Sequence, residues 1–209
     1  YPVRMFWKAL SKKIFILSVA VFIIMSVTSI CLWAGEAGDL VKQSIENGLQ
    51  VIKDPELAGK DKAPERRKRL WEEIGSIFNM EEMGKRALGR YWKDRTPEER
   101  KEYVELFTEL IKNSYLDKTD TYSGEKVEFL RERQDGGYYK VQTNFIASTG
   151  KEIDVDFSLI NSNGKLQIYD VTIEGVSLVN NYRSQFNNFL LKSPFKALIQ
   201  NMREKTLKK

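Results

Sequence analysis

The residues of this chain best suited to chemistry are carboxylates, and they come in pairs. Asp154 and Asp156 stand two apart in an alternating apolar and polar run, so on a strand they share one face. Asp170 and Glu174 follow in a second such run and would look across from a neighbouring strand. Paired carboxylates serve glycosidic or metal chemistry. Alternating acids on the wet side of a sheet also serve simply to keep that side in water, and this plainer reading is the stronger one. The chain has no histidine, which removes the usual triads, imidazole bases and zinc sites. Cys31 is the single cysteine, and the glycines fall at turns rather than in a phosphate loop. Reactive groups are scarce and apolar wall material is plentiful. The balance favours a binder without catalytic residues, metal or cofactor.

The wall material is organised around one stretch, Tyr169 to Leu191. It starts as a strand, with Tyr169, Val171 and Ile173 alternating with Asp170, Thr172 and Glu174. At Glu174-Gly175 the period changes. Leu178, Val179, Tyr182, Phe186, Phe189 and Leu190 then recur every three or four residues, on one face of a helix. Gly175 suits the corner because it turns without a Cβ penalty. The greasy, aromatic helix that results is read as one wall of an apolar cavity; the same spacing would also serve a solid core.

The elements before it follow from similar signals. Asp39 is placed to cap a first helix carrying Val41, Ile45, Leu49 and Ile52, ending near Pro55. A second helix presents Leu70, Ile74, Ile77 and Phe78, and its run Arg66-Arg67-Lys68-Arg69, followed by Glu72 and Glu73, reads as a solvated face. A third presents Met80, Met83, Ala87 and Tyr91; methionine adapts to irregular apolar shapes, whether a pocket wall or a gap in a core. Thr96-Pro97-Glu98-Glu99 opens a fourth helix with a capping box, and Tyr103, Phe107, Leu110, Ile111 and Tyr115 form its apolar face. Four strands are expected near 126–133, 138–148, 152–160 and 166–173, joined by short hairpin connections and therefore antiparallel. A last helix starts at Ser193-Pro194, with Phe195, Leu198, Ile199 and Met202 inward.

The expected fold is α+β: a curved, four-stranded antiparallel sheet packed on several helices, with an apolar cavity between the layers. The expected wall residues come from four places. The third helix supplies Met80, Met83 and Tyr91, and the fourth supplies Phe107, Ile111 and Tyr115. The sheet supplies Phe145, Val155, Phe157, Val171 and Ile173. The closing segment supplies Val176, Val179, Tyr182 and Phe186.

The amino terminus carries a targeting signal. Arg4, Lys8, Lys12 and Lys13 precede an uncharged run from Ile14 to Ala34, with small residues around Ala34 to Ala37. That pattern predicts a secretory signal peptide over 1–37, the run being long enough for an uncleaved anchor as the alternative. Residues 38–209 are expected to form a single domain, with no cysteine to form a disulfide. The formal charge of +5 falls to about +2 once the four leader cations and Glu36 are set aside. That is too little for a nucleic-acid face, which needs clustered cations.

Two segments, Ala87–Tyr115 (ALGRYWKDRTPEERKEYVELFTELIKNSY) and Tyr169–Phe186 (YDVTIEGVSLVNNYRSQF), resemble the most recognisable parts of the MlaC, or toluene-tolerance auxiliary, family. Their order, their spacing and the leader agree over essentially the whole mature chain; Asn79, where such proteins often carry an acid, departs from the pattern at a local cap. The resemblance implies a periplasmic phospholipid carrier shuttling lipid between an outer-membrane lipoprotein complex and an inner-membrane MCE-protein/ABC transporter. It implies no catalytic motif. A related branch is associated with hopanoids, which is the alternative ligand. The rivals outside the family are a small cone-shaped enzyme using Asp170 or Asp156 as a base on a hydrophobic substrate, and a solid-core adaptor that binds only proteins.

Overall fold

The structure, a computed structural model, describes residues 35–116 and 126–207. Helix α1 is Glu36–Ile52, α2 is Ala63–Ile74, α3 is Met80–Leu88 and α4 is Pro97–Tyr115. Strands β1 Lys126–Asp135, β2 Tyr138–Ile146, β3 Glu152–Ser162, β4 Lys165–Ile173 and β5 Val176–Ser177 follow, then α5 Leu178–Leu190 and α6 Phe195–Leu207. The expected leader lies outside the described residues up to its last three. Of those, Gly35 caps α1 and Ala37 is wholly buried, so both belong to the folded body. Among the described residues no helix is long and apolar enough to cross a membrane.

The sheet has five strands in the order β1-β2-β3-β4-β5, every pair antiparallel, where four were expected. The extra strand arises at the corner. Glu174 and Gly175 both take positive φ, 47° and 77°, the backbone of a two-residue hairpin turn. Val176 and Ser177 therefore turn back to pair with Ile173 and Thr172 before the helix begins. Two bulges bend the sheet, one in β1 between Phe129 and Arg131 and one opposite Ser158 and Leu159 in β4. The second breaks the expected alternation. Ile168 pairs with Leu159 and Asp170 with Ser158, leaving Tyr169 as the extra residue. Ile168 and Val171 both join the buried inner-face cluster, while Tyr169 sits edge-on to Tyr138 and beneath the Arg86 guanidinium, 4.2 Å away.

The helix ends show which caps are local. Thr96 and Glu99 close the expected capping box at α4, and Asn79 caps α3 by accepting the Glu82 N–H. Helix α1 differs. It starts three residues before the expected cap, Asp39, because a distant side chain meets its free donors: the Glu132 carboxylate of β1 accepts the Gly38 N–H at 2.7 Å. The cationic run of α2 is only partly a solvated face. Lys68 and Arg69 pair with Glu72 and Glu73, but Arg66 is buried and donates to the carbonyls of Leu57 and Gly59.

The buried residues form three clusters. Helices α3, α4, α5 and α6 enclose an aromatic core around Tyr103, Phe107 and Phe186. The inner face of the sheet packs on the first half of α1 through Ala37 and Val41. Val51, Leu57, Leu70 and Leu116 join the end of α1 to α2. Tyr103 is fully buried and donates to the Gly84 carbonyl at 3.1 Å, and burial holds its hydroxyl well above the usual phenol range.

Asp170 gives the fold a sharp test. Its carboxylate accepts the Ser177 hydroxyl and, at 3.1 Å, the Val179 N–H, while Ser177 caps α5 by accepting the Asn180 N–H. Asp170→Ala removes the acceptor from both groups and is expected to cost about 1–3 kcal/mol. Urea titration should show a lower midpoint with an unchanged slope. A loss under about 0.5 kcal/mol, the level of an ordinary surface change, would mean that the tie between β4 and α5 contributes little.

Candidate functional site

Helices α1 and α2 and the inner face of the sheet border an apolar cleft of about 220 Å³. Each wall comes from a simple pattern. Along α1, Val41, Ile45, Gly48 and Ile52 recur at helical spacing and face inward, as Leu70 and Ile74 do on α2. Phe145 of β2, Phe157 of β3 and Ile168 of β4 form the floor. Ile77 and Phe78, in the 3₁₀ turn and the extended residue between α2 and α3, close one end.

Gly48 sets the distance between the two helices. A Cβ there would come within 3.3 Å of the Leu70 side chain and 3.5 Å of Ile74, so the missing side chain is what lets α1 and α2 approach. Phe78 is held by its surroundings. Its ring stacks on Trp71, it bridges Ile168, and the next amide, Asn79 N–H, donates to the Ile168 carbonyl at 2.8 Å.

Electrostatically the cleft is nearly blank. Ser44 is its one polar side chain, and its hydroxyl is already spent on the Leu40 carbonyl one turn back, at 2.8 Å. Such a lining offers a ligand apolar contact and no charge or free donor. Three other recesses, of about 350 to 380 Å³, are larger but mix polar and charged groups.

The carboxylates singled out in the sequence lie outside the cleft, and two of them already have partners. Asp156 pairs with Lys140 at 2.8 Å across β2 and β3, and Asp170 holds the start of α5. Among the described residues no group of three acidic, histidine or cysteine side chains is placed to hold a metal ion.

The expected wall residues divide into two groups. Phe145 and Phe157 line the cleft, and Val155, Val171 and Ile173 lie in the same inner-face cluster. Met83, Phe107, Ile111, Val179 and Phe186 are buried in the aromatic core on the other side, with Met80, Tyr91 and Tyr182 at its margin. Ring contacts knit that core together: Phe107 meets Tyr182 at 5.4 Å and Phe186 at 6.2 Å, and Tyr182 meets Phe186 at 5.6 Å. Tyr115 touches both groups. Val176 belongs to neither, being 58% exposed on β5. The α1 and α2 residues of the cleft were visible as amphipathic faces, but nothing in their spacing separates a cavity wall from a packed core.

Comparison with known proteins agrees with this architecture. A phospholipid-binding protein from Ralstonia solanacearum, solved in complex with a phospholipid, superposes with a TM-score of 0.73 at 22% identity, covering 82% of this chain and 97% of that one. At that identity the likeness establishes the fold. The intermembrane phospholipid transport system binding protein MlaC of Haemophilus influenzae is 26% identical over 131 residues, 60% of this chain; the alignment spans 61% of that relative's length. The family model described as MlaC protein matches residues 42–204, from the first turns of α1 to the end of α6. The chain belongs to the MlaC protein family.

Proposed function

We propose that this protein carries a membrane lipid, a phospholipid, with its acyl chains between the α1–α2 pair and the sheet. The observation that carries the reading is the lining of the cleft, apolar throughout except for a serine whose hydroxyl is already bonded. The H. influenzae relative is named for intermembrane phospholipid transport, and the R. solanacearum fold neighbour holds a phospholipid, which supports the same choice of ligand. On this reading the protein is the exported, soluble member of a transport system. It exchanges lipid with an outer-membrane complex and an inner-membrane MCE-protein/ABC transporter, and it catalyses no covalent step.

The physics sets what such a carrier must do. Each buried methylene is worth about 0.8 kcal/mol, so two chains of about fifteen carbons represent about 20–25 kcal/mol of attachment to a bilayer. A slot of similar apolarity replaces most of that, and only the small difference remains as a barrier to hand-over. The volume of about 220 Å³ is below the roughly 300–1,000 Å³ of common ligand pockets, so loading requires the cleft to widen. Leu70 and Ile74 pack against the gap left by Gly48, so α1 and α2 move away from Phe145 and Phe157 as a pair.

Gently purified protein is expected to carry one or two phospholipids by native mass spectrometry. Protein that is consistently empty and also refuses added phospholipid would sink the carrier reading. Extraction yielding mainly hopanoid would replace the ligand and leave the carrier intact.

Blocking the cleft distinguishes its wall from ordinary core. Ile45→Trp is expected to fill the slot, lowering uptake of a fluorescent phospholipid at least tenfold while the melting temperature stays within a few degrees. Val179→Trp is the counterpart in the aromatic core, where Val179 is 4% exposed. There, overpacking is expected to cost about 1–3 kcal/mol and to lower the melting temperature first. Loss of uptake at constant stability for Val179→Trp, with Ile45→Trp unaffected, would move the lipid to the α5 side.

A further inference from the structure

Behind the aromatic core, a recess of about 360 Å³ opens between the 3₁₀ turn that follows α3 and the outward side of α5. The Arg90 guanidinium stacks on the Tyr91 ring and donates to the Tyr91 hydroxyl at 2.9 Å and to Asn187 Oδ1 at 3.3 Å. Arg183, one turn before Asn187, lies over Gly89, whose φ of +60° and missing side chain leave room for it: a Cβ there would meet Arg183 Nε at 3.2 Å. Two exposed guanidinium groups thus share one recess, and among the described residues neither has a carboxylate partner. Like charges gathered without an acid between them repel, and guanidinium forks match a carboxylate in two parallel bonds.

The helix around them has an unusual surface. The chain as a whole is 30% charged, yet the thirteen residues of α5 include one charge, Arg183. Its exposed positions are otherwise amides and a hydroxyl: Asn180, Asn181, Ser184, Gln185 and Asn188. Val176 and Leu191, 58% and 63% exposed, flank the two ends of the helix. Protein interfaces are depleted in Lys, Glu and Asp and enriched in Arg and Tyr. A membrane-surface helix would instead show several cations opposite a bulky apolar face turned to the lipid.

We infer that the outward side of α5, with Arg90 and Tyr91, is a docking surface for a partner protein that presents an Asp or Glu side chain to the two arginines. The inference does not depend on the lipid reading. Phe78, at the cleft, and Gly89, at the recess, are separated by the length of α3, about 13 Å for its nine residues.

The experiment places a photo-crosslinking amino acid at Asn188 of the full chain in the cells it comes from, and the crosslinked segment of any captured protein is sequenced. The expected result has two parts. Arg183→Glu and Arg90→Glu each lower the adduct about tenfold, with the melting temperature and lipid uptake unchanged. Changing the acidic residue of the crosslinked segment to Arg then restores the adduct with Arg183→Glu. Arg183→Gln repeats the first part if charge reversal disturbs folding. The inference is overturned by the absence of a protein adduct, by an adduct that survives both reversals, by a crosslinked segment without an acid, or by a failed charge swap. It is also overturned if Arg183→Glu abolishes binding to phosphatidylglycerol vesicles, which would assign the arginines to a membrane surface.

Discussion

Three consecutive residues of β4 hold the origins of two helices. The Ile168 carbonyl accepts the Asn79 N–H and so fixes where α3 begins. Two residues later the Asp170 carboxylate accepts the Ser177 hydroxyl and the Val179 N–H, fixing where α5 begins. Between them Tyr169 is the extra residue of a bulge. Without the bulge, a strict period of two would place Ile168 and Val171 on opposite faces. With it, both pack inward, and of the two side chains between them Asp170 is left to hold the start of α5. Helix α3 is anchored at the cleft and α5 at the aromatic core, so this short segment sets the position of one relative to the other.

The two sides of the sheet's helical cover are built from different materials, and their roles follow from that. Around Tyr103 the aromatic rings interlock at 5.4–6.3 Å, and such contacts add about 0.5–1.5 kcal/mol each beyond the area they bury. That side is rigid. The cleft side is lined by aliphatic side chains from α1 and α2, and its closest helix contact rests on a glycine. Aliphatic walls without hydrogen bonds can shift against a sheet at little cost, because no polar pairing has to break. A slot that can deform beside a closely packed core suits the proposed lipid ligand with its flexible chains.

Two of the carboxylates that suggested chemistry are engaged in structural contacts. Asp156 neutralises Lys140 on the outer face of the sheet, and Asp170 serves as a helix cap supplied by a neighbouring strand. Glu132 does the same for α1 from the opposite edge of the sheet. Acids at helix N-termini are stabilising because they meet both the free N–H groups and the positive end of the helix dipole.

Sequence by itself determined what depends on neighbours a few residues apart. The capping box at Thr96, the periods of two and of three to four, the hairpin connections and the corner at Glu174-Gly175 are local, and all were legible. So was family membership, through the segments Ala87–Tyr115 and Tyr169–Phe186, which the structure brings together where Tyr103 and Phe107 meet Phe186. Only the tertiary structure decided what depends on residues far apart in the chain. Helix α1 begins at Glu36 because Glu132, close to a hundred residues later, meets Gly38. β5 exists because a hairpin backbone turns Val176 onto Ile173 before α5 starts. The division of the expected wall residues between a cleft and an aromatic core was equally hidden. An apolar face of given period looks the same whether it meets interlocking rings or an open space, and the difference lies in the atoms opposite it.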